Sequence, residues 1–346
     1  MLPPSDMEKT DKPLVSVMLV TYNQEKFVAA AIESAVTQDY ENLEVVVGDD
    51  GSTDRTFEII QEYALKYPNR VKVIEDRSHL GISGNCSRNL KHCQGTYIAF
   101  SAGDDVYLPG KVTKQVGWFE ADARRVLCGH DSEFFASETG QRLFLYSQMQ
   151  PMRSGRGVDF DLGGGSFDAL SIMVRRSAIP AQGFDARIHR SSDLKMWIDC
   201  LANGGDYGFI PEILTRHRVH DRNVTHDELA GQEDMVRFYR AVASDYSQFR
   251  DESLQKMKTL VALLVTTHFA RGDRAKTREY MSESIKLHGI RTLKRALVYA
   301  LCYLPDSLFA RLAATCVRVG WASRPPEAKS YLAQNIERFG PCSTHQ

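Results

Sequence analysis

The sequence Gly-Asp-Asp occurs twice in this chain of 346 residues, at Gly48-Asp49-Asp50 and at Gly103-Asp104-Asp105. Aspartate is common in turns, so one such pair would indicate little. Two pairs at one edge of a sheet would repel each other, and a divalent cation or the donor groups of a ligand relieves that repulsion. The pattern therefore predicts a ligand or cation site if both pairs follow neighbouring strands. The alternative is that these acids only form turns and cap helices.

Short apolar runs precede both acidic pairs and are typical of buried strands. The predicted strands are 15–20, 43–47, 71–74 and 97–100, and the predicted helices between and after them are 27–38, a segment that runs to Lys66, 83–93 and one that Pro109 begins. Strands that alternate with helices form right-handed crossovers and a mostly parallel sheet. Such sheets bind ligands beyond the carboxyl ends of their strands, which is where both acidic pairs are expected.

The pattern is less regular between residues 125 and 180, where 170–174 is a strand candidate. A helix is predicted from Ser191 to Leu201, which places Asp193 in its first turn, at the positive end of the helix dipole. An extended segment from Tyr207 to Val219 follows. From about Leu229 the pattern is helical to the end of the chain.

Composition excludes several classes of protein. Hydrophobic residues make up 43% of the chain and charged residues 25%, as in ordinary globular domains. Lys and Arg number 43 against 44 Asp and Glu, so a general nucleic-acid binder is not expected. The seven cysteines form no Cys-x-x-Cys pair, which favours free thiols in a reducing cytoplasm. We expect neither a secretory signal nor a membrane span.

The segment 291–324 combines apolar residues with six Lys or Arg and one acid, Asp306, a local net charge of +5. An apolar, basic helical pair suits peripheral contact with an anionic membrane. The alternative, which the sequence leaves open, is a helical cap with its apolar face on the core and its basic residues in water.

Several motifs together resemble those of family 2 glycosyltransferases over roughly the first 220 residues. They are residues 17–23 and 47–54, Arg88-Asn89, the second Gly-Asp-Asp and Asp193. The resemblance implies the α/β GT-A fold, a Rossmann-like and mostly parallel sheet flanked by helices, here with a C-terminal helical extension. The implied organisation is a loose arm (1–13), a glycosyltransferase domain (14–228, with a nucleotide-binding half 14–123 and an acceptor half 124–228) and a helical region (229–346).

The resemblance also implies how a nucleotide-sugar donor is bound. Thr21 and Tyr22 stand where such enzymes hold the base and ribose, and a Tyr ring offers a stacking face. Asp50 matches the acid that accepts the N3–H of a uracil-type base, which favours UDP or dTDP, and Asp49 is its neighbour. Arg88 matches a basic group that faces the nucleotide or diphosphate.

Asp105 matches the carboxylate of the family's metal-binding motif, for which the expected cofactor is Mg²⁺ or Mn²⁺. Such an ion stabilises the charge that develops on the leaving nucleotide. Asp104 is expected to touch the ribose or a sugar hydroxyl. His217 and His220 come from the segment that closes over the donor in related enzymes, and we expect His220 to be the metal ligand.

Asp193 matches the family's catalytic base, which takes the proton of the acceptor hydroxyl as that hydroxyl attacks the anomeric carbon. A single displacement of this kind inverts the anomeric centre. The family often has Glu-Asp at this position, whereas this chain has Ser192-Asp193. Asp193 could instead serve only the helix dipole.

These observations predict an inverting, metal-dependent transferase that adds one sugar to a glycan or lipid-linked acceptor in bacterial cell-surface polysaccharide synthesis, such as O-antigen. The Gln-x-x-Arg-Trp motif of processive members is absent. The expected location is the cytoplasm, at the inner face of the cell membrane. Two alternatives remain: a nucleotidyltransferase that makes sugar nucleotides, and a non-catalytic scaffold with the same fold.

Overall fold

The structure is a computed structural model of the chain, and it describes residues 12–159, 162, 167–221, 223, 227–288, 293–318, 336 and 338. The described residues form two compact units. The first contains those from 12 to 221 together with 336 and 338, and the second contains those from 223 to 318. Most of the predicted arm (1–13) and parts of the predicted membrane-contact segment (291–324) lie outside the described residues.

A sheet of ten strands, counted over the described residues, forms the centre of the first unit. In chain order the strands are β1 (Val15–Thr21), β2 (Leu43–Asp49), β3 (Val71–Val73), β4 (Tyr97–Ala102), β5 (Val106–Tyr107), β6 (Arg125–Ala136), β7 (Arg142–Leu145), β8 (Gly155–Arg156), β9 (Met173–Arg175) and β10 (Asp206–Val219). They lie in the order β3-β2-β1-β4-β9-β6-β10-β5, while β7 pairs with β6 and β8 pairs with β10.

Strands β3, β2, β1 and β4 form a parallel block. Thr21 of β1 pairs with Asp49 of β2, and Val20 of β1 pairs with Ala102 of β4, so the three strands end at one edge. Their side chains are almost all buried, which explains why these strands are continuous apolar runs. Both acidic pairs follow this block, as the sequence predicts.

Six α-helices of the described residues accompany the sheet: α1 (Val28–Val36), α2 (Thr56–Lys66), α3 (Gly81–His92), α4 (Lys111–Glu120), α5 (Tyr146–Met149) and α6 (Ser192–Leu201). Helices α1, α2 and α4 pack on one face of the sheet, and α3 and α6 pack on the opposite face. Helix α1 buries Val28, Ala31, Ile32 and Ala35, the spacing of a single helical face. The fold is therefore the α/β architecture that the sequence predicts.

The second half of the sheet is mixed. Strands β6 and β10 are parallel, whereas β9 runs antiparallel between β4 and β6. The sequence pattern does not reveal β6, because it places polar residues such as His130 and Ser132 in fully buried positions. The register of β10 against β6 brings the last residues of β10 beside the sheet edge that carries Asp104 and Asp105.

The second unit is helical over its described residues, as predicted. Its helices are α7 (Glu228–Asp245), α8 (Arg250–Ala270), α9 (Arg274–His288), α10 (Leu293–Leu301) and α11 (Asp306–Arg318). Buried residues such as Phe238, Leu264 and Phe309 form its core. Among the described residues, no helix combines the length and the apolar character needed to cross a bilayer.

Candidate active site

The first acidic pair lies at the end of β2, where Asp50 contacts the start of α3. Asp50 accepts hydrogen bonds from the backbone N–H groups of Leu80 (2.8 Å) and Gly81 (3.0 Å), one at each carboxylate oxygen, and so holds the start of α3. The Nδ1 atom of His79 lies 3.0 Å from the same carboxylate. Gly51 has a φ of +79°, a backbone conformation that favours glycine. Asp50 is thus a buried anchor whose carboxylate is already heavily hydrogen-bonded.

Asp49 holds the loop that follows it. Its carboxylate accepts hydrogen bonds from the backbone N–H and the hydroxyl of Ser52, and from Nε of Arg77 at 3.0 Å. Its side chain is completely buried. These contacts give Asp49 a structural part in the loop, and any contact with a nucleotide stays a prediction.

Arg88, on α3, connects the same elements. Its guanidinium donates to the carbonyl oxygens of Asp49 (2.8 Å) and Ser78 (2.9 Å), and lies 3.8 Å from a carboxylate oxygen of Asp50. The side chain is 8% exposed, so its charge lies beneath the surface rather than in solvent. Arg88 therefore stands beside Asp50, and it also donates a hydrogen bond to Oδ1 of Asn85 at 2.8 Å. Its contact with a nucleotide or diphosphate stays a prediction.

Thr21 is the last residue of β1 and Tyr22 follows it, between the two acidic pairs. The hydroxyl of Thr21 donates to Oε1 of Gln24 at 2.7 Å, and the backbone of Gly103 approaches so closely that a Cβ there would lie 2.5 Å from that hydroxyl oxygen. Tyr22 is 46% exposed, and its ring lies 5.0 Å from the ring of His79. The sequence analysis missed His79, which adds a second exposed ring beside Asp50.

The second acidic pair meets the end of β10. Oδ2 of Asp104 lies 3.0 Å from Nε2 of His220. Asp105 accepts a hydrogen bond from the backbone N–H of Arg218 at 2.8 Å, and its other carboxylate oxygen lies 3.7 Å from Nδ1 of His217. The two predicted metal ligands, Asp105 and His220, therefore each contact a different partner. His220 contacts Asp104, and His217 faces Asp105.

Burial and neighbouring charge perturb this cluster strongly. Burial, together with the carboxylates of Asp104 and Asp168, raises the pKa of Asp105 to about 7, against the opposing effects of His217 and of the hydrogen bond from Arg218. Burial alone would lower the pKa of His217, but the carboxylates of Asp105, Asp168 and Asp104 raise it above its ordinary value. Acids crowded in this way would be relieved by a cationic partner.

The cluster fits a divalent cation by its chemistry. Carboxylate oxygens and an imidazole nitrogen are ligands that Mg²⁺ and Mn²⁺ accept, and the repulsion at Asp105 favours a positive charge. In the part of the chain that the structure describes, no group of three or more His, Cys, Asp or Glu side chains has the geometry of a metal site. The donors are thus assembled at one edge without a preformed coordination shell.

Arg218 is a second residue that the sequence analysis did not single out for the site. Its Nε donates to the carbonyl oxygen of Asp104 at 2.9 Å. Its guanidinium carbon lies 4.8 Å from the ring centre of Phe27 and 4.7 Å from that of Phe135. The only signal in the sequence was its place between His217 and His220, two residues that the sequence analysis did assign to the site. Arg218 brings a positive charge to the edge that carries both acids.

Asp193 lies in the first turn of α6, as predicted. The start of this helix is joined to α3, because the hydroxyl of Ser83 lies 2.7 Å from that of Ser192. Burial, together with the carboxylates of Asp193 and Asp50, raises the pKa of the Cys86 thiol, on α3, to about 12. Asp193 and Asp50 therefore both lie near Cys86, so α6 places the predicted base near the β2 end of the site.

Comparison with known proteins addresses the family directly. The family model described as glycosyl transferase family 2 matches residues 16–178. The putative glycosyltransferase EpsE of Bacillus subtilis (strain 168) is 32% identical over 197 residues, which are 56% of this chain and 68% of that protein. This chain belongs to glycosyltransferase family 2. The matched residues include both acidic pairs and Arg88, while Asp193 lies beyond the end of the family match.

Further relatives agree with a family 2 glycosyltransferase. An uncharacterized glycosyltransferase of Methanocaldococcus jannaschii is 29% identical over 62% of this chain and 73% of that protein. Staphylococcus aureus TarS 1–349 in complex with UDP has a TM-score of 0.53 at 16% identity, and the match covers 89% of this chain and 92% of TarS 1–349.

A mannosyltransferase of Pyrobaculum calidifontis, in complex with GDP-Man and Mn²⁺, has a TM-score of 0.54 at 15% identity and covers 90% of this chain and 87% of its own. At such low identities, these two solved structures show the GT-A fold alone. Its membership of family 2 identifies the chain as a glycosyltransferase and removes the nucleotidyltransferase alternative.

Proposed function

We propose that this family 2 glycosyltransferase moves one sugar, with inversion, from a UDP- or dTDP-sugar to a hydroxyl of a glycan or lipid-linked acceptor in bacterial cell-surface polysaccharide synthesis. One observation carries the proposal. The ends of β1, β2, β4 and β10 bring an exposed aromatic pair, two acidic pairs, two imidazoles and a guanidinium to one edge of the sheet. A nucleoside diphosphate has a planar base, hydroxyls and an anionic diphosphate, which this set of groups complements.

The base is proposed to stack against Tyr22 and His79. Both rings are exposed and stand beside Asp50, which is the proposed acceptor for the N3–H of a pyrimidine. A carboxylate has about four lone-pair positions, so Asp50 can accept this bond in addition to those from Leu80 and Gly81. The TarS complex with UDP supports a uridine nucleotide, because TarS shares this fold.

The diphosphate is proposed to lie against Arg218 and the second acidic pair. Asp105 and His220 are the proposed ligands of Mg²⁺ or Mn²⁺, and Asp104 is proposed to hold the ribose or a sugar hydroxyl. When bound, the ion would supply Lewis-acid stabilisation of the leaving nucleotide. Arg218 would add a charge-assisted hydrogen bond to the diphosphate oxygens of that nucleotide. The mannosyltransferase complex with Mn²⁺ supports a cation in this fold.

Asp193 is proposed as the base that removes the proton of the acceptor hydroxyl. In a single displacement the acceptor oxygen forms its bond to the anomeric carbon while the bond to the diphosphate oxygen breaks, and the proton passes to the carboxylate of Asp193. A base placed in this way contributes typically 10²- to 10⁴-fold to the rate. One such displacement per encounter gives a single inverted linkage.

The second unit is proposed to bring the enzyme to the inner face of the cell membrane, near a lipid-linked acceptor. Helices α10 and α11 and the turn between them expose Leu297, Tyr303 and Leu308, which are large apolar side chains. Arg311 and Arg318, on α11, are also exposed. Exposed apolar side chains with basic neighbours favour an anionic lipid surface.

The proposed reaction is tested by nucleotide release. Purified protein is incubated with UDP-glucose, UDP-galactose, UDP-N-acetylglucosamine, UDP-glucuronic acid, dTDP-glucose or GDP-mannose, with Mn²⁺ or with EDTA, and with a lipid-linked acceptor pool. We expect Mn²⁺-dependent release of UDP or dTDP from one of these donors. Release of GDP alone would contradict the proposed pyrimidine nucleotide. Nucleotide release that EDTA does not change would contradict the proposed dependence on a divalent cation.

A further inference from the structure

Asp168 lies at the same edge of the sheet as the second acidic pair, although the sequence gives it no motif. It stands a few residues before β9, which runs antiparallel to β4. The register pairs Ile98 with Val174, and a hydrogen bond from the backbone N–H of Phe100 to the carbonyl of Ile172 extends the pairing. A short 3₁₀-helix, Ala169–Ser171, separates Asp168 from β9, and a hydrogen bond with Ser132 of β6 ties Asp168 to the sheet.

Electrostatics agrees with this placement. After burial and Asp104, the carboxylate of Asp168 also raises the pKa of Asp105. Asp168 likewise raises the pKa of His217, together with Asp105 and Asp104. Asp168 is therefore close enough to both groups to act on them, and the site holds a third carboxylate beside the second acidic pair.

The buried hydroxyl of Ser132, itself in contact with that of Thr215, holds one carboxylate oxygen of Asp168 in place. The hydroxyl of Ser132 donates to Oδ2 of Asp168 at 2.5 Å and lies 2.9 Å from the hydroxyl of Thr215. Ser132 and Thr215 are fully buried and face each other in the β6–β10 register. Within the described ranges, Oδ1 of Asp168 accepts no hydrogen bond, and the residue is partly exposed.

A purely structural part for Asp168 would be to balance the buried charge of Lys111. Asp168 does raise the pKa of that amine, but the Nζ of Lys111 donates its hydrogen bond to Oε1 of Gln115, at 2.7 Å. Lys111 therefore does not occupy the second oxygen of Asp168. Among the residues that the structure describes, this carboxylate is held by one oxygen and open at the other, so it is placed to accept a hydrogen bond from a ligand.

We propose that Asp168 is a specificity-determining residue whose Oδ1 accepts a hydrogen bond from a hydroxyl of the transferred sugar. This assignment rests on the proposed function. A carboxylate at this place favours a neutral sugar with a free hydroxyl and disfavours a sugar that carries its own carboxylate. A donor without the hydroxyl would leave a partly buried charge unpaired, which is how polar sites reject analogues.

The test separates the sugar from the nucleotide. Wild type, Asp168→Asn and Ser132→Ala are compared for calorimetric binding of UDP with Mn²⁺, and for the KM of whichever UDP-sugar of the panel above the wild type uses. We expect Asp168→Asn to raise the KM for that UDP-sugar about tenfold or more and to change UDP affinity less than twofold. Ser132→Ala, which keeps the carboxylate but loses its anchor, is expected to give a smaller loss in the same direction.

Specificity supplies the second readout. Asp168→Asn is expected to narrow the difference in kcat/KM between neutral UDP-sugars and UDP-glucuronic acid. Glu138→Gln, at an exposed acid elsewhere in the first unit, serves as the control for the loss of one charge. Its preference among donors is expected to match the wild type.

Three results would overturn the assignment. An unchanged KM and donor preference in both Asp168→Asn and Ser132→Ala would show that Asp168 does not touch the sugar. An equal loss of UDP and UDP-sugar affinity would place Asp168 with the diphosphate or the fold. Failure of the wild type to release nucleotide from any donor would overturn the proposed function first, and this assignment with it.

Discussion

The imidazole of His220 contacts the carboxylate of Asp104 at 3.0 Å, across 116 positions of sequence. The next acid, Asp105, faces a different imidazole, that of His217. Each member of the second acidic pair thus has a histidine of its own from the end of β10. Because Arg218 lies between these histidines and also bonds to both acids, the end of β10 closes the edge at which β4 ends.

Asp193→Asn is expected to lower kcat by 10²- to 10⁴-fold while UDP affinity stays within twofold of the wild type. The change removes the proposed proton acceptor and leaves the nucleotide contacts in place. Steady-state nucleotide release and calorimetry with UDP measure the two quantities. Glu138→Gln, at an exposed acid elsewhere in the first unit, serves as the control for the loss of one carboxylate. A near-normal kcat in Asp193→Asn would rule out Asp193 as the base.

Tyr22→Ala and His79→Ala are each expected to weaken UDP binding by roughly tenfold, since stacking of a base on an aromatic ring contributes about 1–3 kcal/mol. The two rings lie 5.0 Å apart, so the double variant is expected to lose less than the sum of the single losses. Calorimetry with UDP in Mn²⁺ measures the series, and Tyr63→Ala on α2 is the control. Unchanged affinity in both single variants would place the base elsewhere.

The buried Lys111 gives the fold a pH dependence. Burial lowers its pKa to about 7 from an ordinary value of 10.5, although Cys128 and Asp168 act to raise it. Between these values the unfolded chain binds more protons than the folded one, so this residue makes the free energy of unfolding rise with pH. The slope can reach about 1.4 kcal/mol per pH unit.

Urea unfolding at pH 7, 8 and 9 tests this dependence in Lys111→Met. We expect the stability of the wild type, relative to this variant, to increase across the series. Lys114→Met, at a more exposed lysine of the same helix, should run parallel to the wild type. A constant difference between wild type and Lys111→Met would show that the amine is not perturbed.

Membrane contact is tested by reversing charge on α11. Each basic residue near an anionic surface contributes about 1 kcal/mol, so Arg311→Glu with Arg318→Glu is expected to lower partitioning onto phosphatidylglycerol vesicles at least roughly tenfold. Arg55→Glu with Lys91→Glu, at exposed positions of the first unit, is the matched control. Equal sedimentation of the two double variants with the vesicles would refute the proposed contact.

The parallel block and its acids could be predicted because the signal is local. Residues 15–20 and 43–47 are apolar runs that end in polar residues, and strand ends in a parallel sheet meet at one edge. Strand β6 could not be predicted in the same way, since it buries the polar residues His130, Ser132 and Glu133. The partners of Ser132 and Glu133 include Thr215 and Arg216 of β10, which are distant in the sequence.

The sequence analysis missed three site residues for the same reason: contacts between segments that are far apart in the sequence determine where they lie. His79 reaches the site because Asp50 holds the start of α3. Asp168 reaches it through its hydrogen bond with Ser132 of β6, and Arg218 through the register of β10. No spacing along the chain indicates these relationships. The position of the predicted acids follows from where a single strand ends, whereas the position of these three residues follows only from the completed sheet.

The central claim is that one edge of the sheet holds a nucleoside diphosphate together with a divalent cation. Calorimetric titration of UDP into wild type and Asp105→Ala, each with Mn²⁺ and with EDTA, tests it most directly. We predict that Mn²⁺ increases the affinity of the wild type for UDP by at least roughly tenfold and that Asp105→Ala loses this increase. A wild type that binds UDP equally well in EDTA, or an Asp105→Ala variant that keeps the full effect of Mn²⁺, would contradict the claim.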